Sequence, residues 1–300
     1  MGFNSMLVWV GVMLTTIMAA AAMAYPLALP NCPDSCGDVK IPYPFGTTKG
    51  CYREEISRDF FINCSNWYGQ PQPMTGNIIV TNISIEGEMD ILMYSSIDCY
   101  NQRGTALLNN TKPWFSVPSF TVSVTKNKFT AVGCDTYAHL NGILNGELFT
   151  IGCLAQCTNT HNIVNGSCSG IGCCQIDFPQ DLILSDINFA AYSFNNHTKV
   201  WSFNPCSFAF LIDRDKFSFS SAYLTSLQNN RTLPMVLDWA VGNETCEVAR
   251  NKGNYTCGAN STCSDQNNRS GYRCNCQQGY EGNPYLKDGC QGIYSIYLHI

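Results

Sequence analysis

Residues 32–64 read CPDSCGDVKIPYPFGTTKGCYREEISRDFFINC and hold four Cys. The centre of this stretch, Ile41-Pro-Tyr-Pro-Phe-Gly46, predicts a structural turn, because proline fixes φ and glycine permits a tight bend. Phe60 and Phe61 stand just before Cys64 and are predicted to enter the core, as large aromatic side chains usually do. The starting expectation is therefore a unit of short segments and turns held by cysteines.

The composition of the whole chain indicates a secreted protein. Of its 300 residues 18 are Cys, 45% are hydrophobic and 13% are charged, and the net charge is −5. The hydrophobic fraction excludes intrinsic disorder, and a mildly acidic balance without a Lys/Arg block argues against nucleic acid as a partner. Only four His are present, which leaves little material for His-based catalysis or zinc sites. The predicted fold class is mostly β, with a disulfide-rich cysteine-rich domain followed by a small module.

The two ends of the chain differ from its middle. Residues 1–24, MGFNSMLVWVGVMLTTIMAAAAMA, are apolar from Met6 onward and end in Ala-Met-Ala. They predict a signal peptide cleaved before Tyr25, and a retained signal anchor is the alternative because no Lys or Arg precedes the apolar run. No other stretch reaches the ~18 apolar residues of a spanning helix. We therefore expect a secreted mature chain, with a divergent tail at 292–300.

All 18 Cys follow the predicted cleavage site, so an oxidising compartment would allow them to pair completely. The spacings Cys32-x3-Cys36 and Cys153-x3-Cys157 lack the two-residue gap of zinc knuckles, so no metal and no cofactor is predicted. Ten N-x-S/T sequons predict a glycosylated extracellular surface, although the sequon of Asn63 contains a Cys and is set aside. The predicted glycosylation sites are Asn82, Asn109, Asn165, Asn196, Asn230, Asn243, Asn254, Asn260 and Asn268.

The cysteines also divide the chain. Twelve lie between Cys32 and Cys206, six lie between Cys246 and Cys290, and 39 residues without Cys separate the two groups. The predicted layout is a cysteine-rich region at 25–206, a Cys-free β-rich connecting segment at 207–242 and a small domain at 243–291.

Short alternating apolar runs predict strands within this layout. The run at 77–87 places the odd-numbered residues from Ile79 to Ile85 on one face, and a second run begins at Phe208. Residues 182–194 are interpreted as a short helix.

The last six Cys follow the spacing C-x10-C-x5-C-x10-C-x-C-x13-C, with Gly-Tyr at 279–280. This pattern resembles an epidermal growth factor-like domain, and a domain this small depends on bridges for its stability. Calcium-binding members carry an acidic run before the first Cys, whereas 241–245 offers only Glu244, so no calcium is expected there. The bridges that the resemblance implies are Cys246–Cys263, Cys257–Cys274 and Cys276–Cys290.

Several motifs in the same order resemble plant wall-associated receptor kinases. Residues 32–46 (C-x3-C-G-x-V-x-I-P-Y-P-F-G) are similar to their galacturonan-binding domain, and FTAVGCDTYA at 129–138, GIGCCQIDFP at 170–179 and GYEGNPYLKDGCQ at 279–291 agree with the family. The resemblance implies an ectodomain that binds extracellular pectin (polygalacturonate). The sequence has neither the transmembrane helix nor the kinase signatures of that family, so it resembles the ectodomain alone, as a short form or a truncated gene model. A plasma membrane partner is expected only for a longer kinase-bearing form.

The resemblance places pectin recognition in residues 32–64. A polygalacturonate chain needs Lys and Arg for its carboxylates and aromatic faces for its sugar rings. The segment offers four cations against five carboxylates, a net charge of −1, so binding requires a locally sorted basic face or calcium that bridges protein and pectin carboxylates. The predicted ligand-binding residues are Lys40, Tyr43, Lys49, Tyr52, Arg53 and Arg58, and Lys49 and Arg53 are favoured because they flank Cys51.

Two other functions stay open from the sequence. The acidic balance of 32–64 favours a secreted module that engages a peptide or co-receptor without binding glycan. A hydrolase of wall polymers would need paired carboxylates such as Glu54 and Glu55, but such pairs are usually solvated turn charges. No G-x-S-x-G or H-E-x-x-H motif occurs. The protein is therefore predicted to be a binding protein and not an enzyme.

Overall fold

The computed structural model describes residues 25–293, except 68, 108–109, 145–146, 181 and 267–269. The predicted signal peptide at 1–24, the sequons at Asn109 and Asn268, and residues 294–300 of the predicted tail lie outside the described residues. No helix in the described part is long and apolar enough to span a bilayer.

Strands dominate the structure, which confirms the predicted mostly β, disulfide-rich fold class. The helical segments are short: three 3-10 turns (Arg58–Phe60, Arg214–Lys216 and Leu227–Asn229), α1 (Tyr223–Ser226) and α2 (Cys246–Lys252). The strands are β1 (Ser35–Cys36), β2 (Val39–Lys40), β3 (Asn63–Trp67), β4 (Gln70–Thr75), β5 (Ile78–Ile83), β6 (Glu88–Tyr94), β7 (Ser96–Cys99), β8 (Trp114–Ser116), β9 (Phe120–Val122), β10 (Asn127–Val132), β11 (Asp135–Leu144), β12 (Glu147–Gln156), β13 (Cys173–Ile176), β14 (Asp186–Ser193), β15 (Cys206–Asp213), β16 (Thr232–Trp239), β17 (Ser261–Asp265), β18 (Tyr272–Cys276), β19 (Tyr280–Gly282) and β20 (Cys290–Gly292).

Three antiparallel sheets hold most of these strands. One has six strands in the order β3-β4-β5-β6-β16-β9, and two have four strands each, in the orders β13-β10-β15-β7 and β12-β11-β14-β8. The pairs β1-β2, β17-β18 and β19-β20 form two-stranded ribbons. Strand β16 lies between β6 and β9, so the sheet that begins with the N-terminal strands is completed by residues from much later in the chain.

The Cys-free stretch 207–242 contributes strands to two of the sheets. It supplies most of β15, which pairs with β10 and β7, and all of β16. Every residue of β15 is buried, because alternate side chains enter two different core clusters. Ala209 and Leu211 join the larger cluster, and Phe208 and Phe210 join the smaller one. The predicted connecting segment therefore contributes side chains to both core clusters.

The strand predicted within 77–87 forms, but its faces are not those predicted. Ile78 and Val80 are buried, and of the odd-numbered residues only Ile83 is. The ladder with β6 shifts register between Val80 and Asn82. Such a bulge inserts one residue and exchanges the two faces of a strand, which a strict alternation cannot anticipate.

The predicted helix at 182–194 is wrong. Residues 186–193 form β14, which lies between β11 and β8. Buried Ile187 and Phe189 alternate with exposed Asp186 and Asn188, which is the period of a half-buried strand.

The 18 Cys form nine disulfides, and none is free. Adjacent Cys173 and Cys174 bond to different partners, as expected for neighbours that cannot bridge without strain. In the C-terminal module the structure has the three bridges that the growth factor-like resemblance implies. The other bridges are Cys32–Cys51, Cys36–Cys64, Cys99–Cys206, Cys134–Cys157, Cys153–Cys174 and Cys168–Cys173.

The growth factor-like module packs directly onto the six-stranded sheet. The ring of Tyr285 lies 5.2 Å from that of Trp239. Arg273 donates from Nε to the carbonyl of Trp239 (3.0 Å) and from Nη2 to the carbonyl of Gly87 (2.9 Å). Because module and sheet share one core cluster, the module is held against the N-terminal region rather than tethered to it.

A buried polar cluster lies where β11 and β15 meet. The Nε2 atom of His197 is 2.9 Å from Ser207 Oγ, and the backbone N–H of His197 donates to Asp135 (2.9 Å). Burial lowers the pKa of His197, although the carboxylates of Asp135 and Asp98 oppose the shift. The imidazole is therefore held neutral inside the fold.

Acidification is expected to destabilise the protein through His197. The unfolded chain binds a proton near pH ~6.5 and the folded chain only at lower pH, so the free energy of unfolding falls below pH ~6.5 by up to ~1.4 kcal/mol per pH unit. Urea unfolding at pH 7.5 and 5.5 measures this loss, which His197→Gln should reduce and the exposed control His161→Gln should keep. Burial also raises the pKa of Asp98, an effect of opposite sign that both variants share. Equal pH dependence in wild type and His197→Gln would contradict the prediction.

Candidate functional site

The segment 32–64 is fixed by two disulfides and by its own turn. Cys32 bonds to Cys51 and Cys36 to Cys64. Gly46 donates to the carbonyl of Phe60 (3.2 Å), and a Cβ at this glycine would lie 2.3 Å from the carbonyl oxygen of Cys51. Only glycine fits at this close approach of Gly46 to Cys51. The backbone that carries the surface side chains of the segment is therefore fixed at this point.

The two neighbouring phenylalanines of this segment have different environments. Phe60 is fully buried among Phe45 and Trp239, whereas Phe61 is 39% exposed. The expectation that both enter the core is therefore wrong for Phe61: the 3-10 turn that buries Phe60 ends there, and Phe61 follows it in extended conformation with its ring at the surface. The ring of Phe61 lies 5.5 Å from that of half-buried Tyr52 and forms a surface aromatic pair with it.

Two of the predicted ligand-binding residues contact each other. Tyr43 is only 6% exposed, and its hydroxyl accepts a hydrogen bond from Arg53 Nη1 (3.3 Å). The Nε atom of Arg53 is buried without a hydrogen-bond partner and lies 3.7 Å from the carboxylate of Glu55. Tyr43 thus offers no ring face for a sugar, and its contribution is to hold Arg53 in place.

The other predicted cations are at the surface. Lys40, Lys49 and Arg58 are exposed, and none forms an ion pair with a described residue. Their charges are available to an anionic ligand. One carboxylate of the segment is engaged within the protein, because Asp59 accepts a hydrogen bond from the backbone N–H of Ser119 (3.1 Å). In spite of its net negative charge, the segment therefore carries both exposed cations without ion pairs to described residues and a surface aromatic pair, Tyr52 and Phe61.

A residue far away in the sequence positions this segment. The side-chain amide of Asn283, which is fully buried, donates to the carbonyls of Leu27 (2.8 Å) and Tyr43 (2.7 Å). Its oxygen accepts from the backbone N–H of Tyr285 (3.0 Å). Asn283 belongs to the motif at 279–291, but no pattern in the sequence indicates which backbone its amide reaches.

Replacing Asn283 by Ala is expected to loosen the contact between the module and the N-terminal segment. The carbonyl of Tyr43 would lose its donor inside the fold, which costs about 2 kcal/mol of stability. Chemical denaturation measures the loss, and hydrogen exchange should show faster exchange in residues 25–45. The exposed amide variant Asn275→Ala is the matched control and should change neither. Unchanged stability and exchange in Asn283→Ala would show that this amide does not hold the segment.

The described residues contain no group of three or more His, Cys, Asp or Glu side chains placed to hold a metal ion. Glu244, the carboxylate that precedes the growth factor-like module, accepts hydrogen bonds from Lys252 and from Asn254 Nδ2 (2.9 Å). These hydrogen bonds lower the pKa of Glu244. Its oxygens are engaged with nitrogen donors of the same module.

The predicted glycosylation sites that the structure describes lie at the surface. All of them are exposed, which is compatible with modification. They are Asn82, Asn165, Asn196, Asn230, Asn243, Asn254 and Asn260.

Comparison with known proteins finds sequence similarity to wall-associated receptor kinases. Residues 32–94 match the wall-associated receptor kinase galacturonan-binding family. The chain is 39% identical to wall-associated receptor kinase 2 and 40% identical to wall-associated receptor kinase 5 of Arabidopsis thaliana, over 88% of this chain and 34% of each relative. A more distant relative from the same plant, putative wall-associated receptor kinase-like 11, is 27% identical over 86% of this chain and 38% of its own length. No solved structure matches the chain.

These matches have two consequences. The chain spans about a third of the length of the curated relatives it matches. The galacturonan-binding match ends at Tyr94, the last residue of β6, and β6 pairs on its other side with β16. The matched stretch is therefore one edge of a larger sheet and depends on residues 232–239 for its completion.

Proposed function

We propose that this chain binds de-esterified pectin outside the cell. Sequence identity of 39–40% over 88% of its length confirms its resemblance to wall-associated receptor kinases. The observation that carries the proposal is the match of residues 32–94 to the galacturonan-binding family. Complete pairing of 18 Cys supports an extracellular location, because disulfides persist in oxidising compartments and are rare in the cytosol. The chain would act as the pectin-binding part of a receptor or as a secreted form of it.

The binding face we propose consists of Lys40, Lys49 and Arg58 with the Tyr52–Phe61 pair. Lys and Arg pair with the carboxylates of galacturonate, and a half-exposed aromatic pair offers an apolar surface to the sugar ring. We include Arg53 in this face as a less accessible cation, since its guanidinium donates a hydrogen bond to Tyr43 and its side chain is only partly exposed. The face carries few cations. We therefore expect it to bind a short stretch of unesterified uronates by direct contact, without strong long-range electrostatic attraction.

The proposal predicts that cations of this face control affinity. Lys49→Gln and Arg58→Gln should each weaken binding of de-esterified oligogalacturonide about tenfold, because each removes a charge-assisted hydrogen bond worth about 1.5 kcal/mol or more. Isothermal titration calorimetry of the secreted 25–300 chain measures the change. Lys287→Gln, an equally exposed lysine on the growth factor-like module, is the matched control and should bind as wild type does.

The same titration separates the possible modes of binding. Binding that persists in chelator assigns recognition to the protein cations. Binding lost only in chelator makes calcium the bridge between protein and pectin carboxylates. Equal affinities for Lys49→Gln, Arg58→Gln and Lys287→Gln would contradict the face, and no binding by a folded, fully oxidised chain would redirect attention to a peptide or co-receptor.

A further inference from the structure

A cavity in the described part of the chain lies far along the sequence from the stretch that matches the galacturonan-binding family. Its volume is about 550 Å³, and residues 134–200 line it. Four residues with side-chain amides line it, together with two apolar residues, Ile171 and Val200. The amides belong to Gln156, Asn159, Asn162 and Asn195.

The walls of this cavity are rigid. Cys134 and Cys157, both in the lining, are bonded to each other. Asp135 accepts hydrogen bonds from the backbone N–H groups of Asn195 (2.9 Å) and His197 (2.9 Å) and from the side chain of Asn195 (3.2 Å). Asn196 and His197 adopt left-handed conformations (φ 53° and 58°), which non-glycine residues adopt only where the surroundings impose them. The loop 195–200 is thus built into a defined shape.

The charges of the cavity favour a ligand with a carboxylate. Lys199 is exposed at its rim and has no ion pair with any described residue. Asp135, the carboxylate of the lining, has both oxygens occupied by the hydrogen bonds to 195–197. Lys199 is therefore a cation without an ion pair to any described residue, whereas Asp135 is engaged by hydrogen bonds from the loop. The side-chain amides of the lining are donors and acceptors suited to hydroxyl groups.

An aromatic surface continues from the cavity along the outer face of β11, β12 and β14. Asp135 pairs with Gln156 at the cavity end, and two residues further Tyr137 pairs with Leu154 on the same face. The ring of Tyr137 lies 5.0 Å from that of Phe194, which is 44% exposed. A linear molecule that enters the cavity therefore meets an apolar and aromatic strip on leaving it.

We infer that this cavity is a second binding site, for a uronic acid-bearing oligosaccharide, in which Lys199 pairs with a sugar carboxylate and the surrounding amides bind the hydroxyls. The inference rests on the proposed function and extends it from the 32–64 face to residues 134–200. A chain of galacturonates can then occupy two separate sites on one protein. The site lies outside the stretch that matches the galacturonan-binding family.

The test uses trigalacturonic acid and the full secreted chain. Because Asn196 is a sequon on the same loop, its glycan is first trimmed by an endoglycosidase that leaves one N-acetylglucosamine and creates no new carboxylate. Calorimetric titration is made on wild type, Lys199→Gln, the control Lys287→Gln, a Lys49→Gln/Arg58→Gln double variant and the triple variant that adds Lys199→Gln to it. In parallel, acylation of lysines by an N-hydroxysuccinimide ester, read by mass spectrometry, reports whether the ligand shields Lys199.

The inference predicts that the Lys49→Gln/Arg58→Gln variant keeps residual binding, and that adding Lys199→Gln to it weakens this binding about tenfold or more. It also predicts that trigalacturonate shields Lys199 but not Lys287 from acylation. If wild type binds while Lys199→Gln has no effect and Lys199 is not shielded, the second site is wrong and the proposed function stands. If wild type binds no galacturonide at all, the proposed function itself fails, and the second site fails with it.

Discussion

Trp239→Ala is expected to cost about 3–5 kcal/mol of stability, the largest loss we predict for a single substitution. Trp239 is fully buried at the end of β16, and its ring contacts Phe45 (5.1 Å), Phe60 (6.1 Å) and Tyr285 (5.2 Å). Its indole Nε1 donates to the carbonyl of Ser84 (3.1 Å). One side chain therefore joins the segment 32–64, the six-stranded sheet and the growth factor-like module.

Thermal unfolding of the purified chain measures this effect. A loss of this size lowers the melting temperature of a chain of this length by roughly 10 °C. Trp114→Ala is the matched control, because Trp114 is 70% exposed and its truncation should shift the midpoint by only a degree or two. Similar midpoints for the two variants would show that Trp239 does not join the three parts.

Removing the Cys99–Cys206 bridge, as the Cys99→Ala/Cys206→Ala double variant, is expected to cost about 4–5 kcal/mol. This bridge closes the longest loop in the protein, with a sequence separation of 107, and the loss of unfolded-state entropy on cross-linking grows with loop length. Both cysteines are buried and lie on the paired strands β7 and β15. The bridge thus ties early and late parts of the chain inside one sheet.

The matched comparison is Cys168→Ala/Cys173→Ala, whose bridge spans a separation of only 5. The same entropic argument gives about 2 kcal/mol for so short a loop. Chemical denaturation under non-reducing conditions measures both variants. Equal losses would contradict the loop-length argument and indicate that local packing decides the contribution of each bridge.

Local sequence patterns predicted the fold class well because its determinants are local. Cysteine spacing and short alternating runs are visible within a dozen residues, and they indicated a disulfide-rich β protein. The gap in the cysteine pattern at 207–242 does not reveal that this stretch forms strands of two sheets. Every residue of β15 is buried, and Cys206 gives this strand its one disulfide.

The candidate site was predicted less completely, for a physical reason. Residue type shows that Tyr43 and Arg53 could bind a sugar acid, but only the packed structure shows that Tyr43 is buried against Arg53. The role of Asn283 depends on a contact across 240 residues of sequence. Contacts of this kind follow from tertiary packing, and no local pattern carries them.

The measurement that tests the central claim most directly is a calorimetric titration of the folded, fully oxidised chain with oligogalacturonide in its de-esterified and its fully methyl-esterified forms. The two ligands share one backbone and differ in charge. Pectin recognition by Lys40, Lys49 and Arg58 predicts saturable binding of the de-esterified form and at least tenfold weaker binding of the ester, since the ester cannot pair with these cations. Equal affinity for the two forms, or binding of neither, would contradict the account.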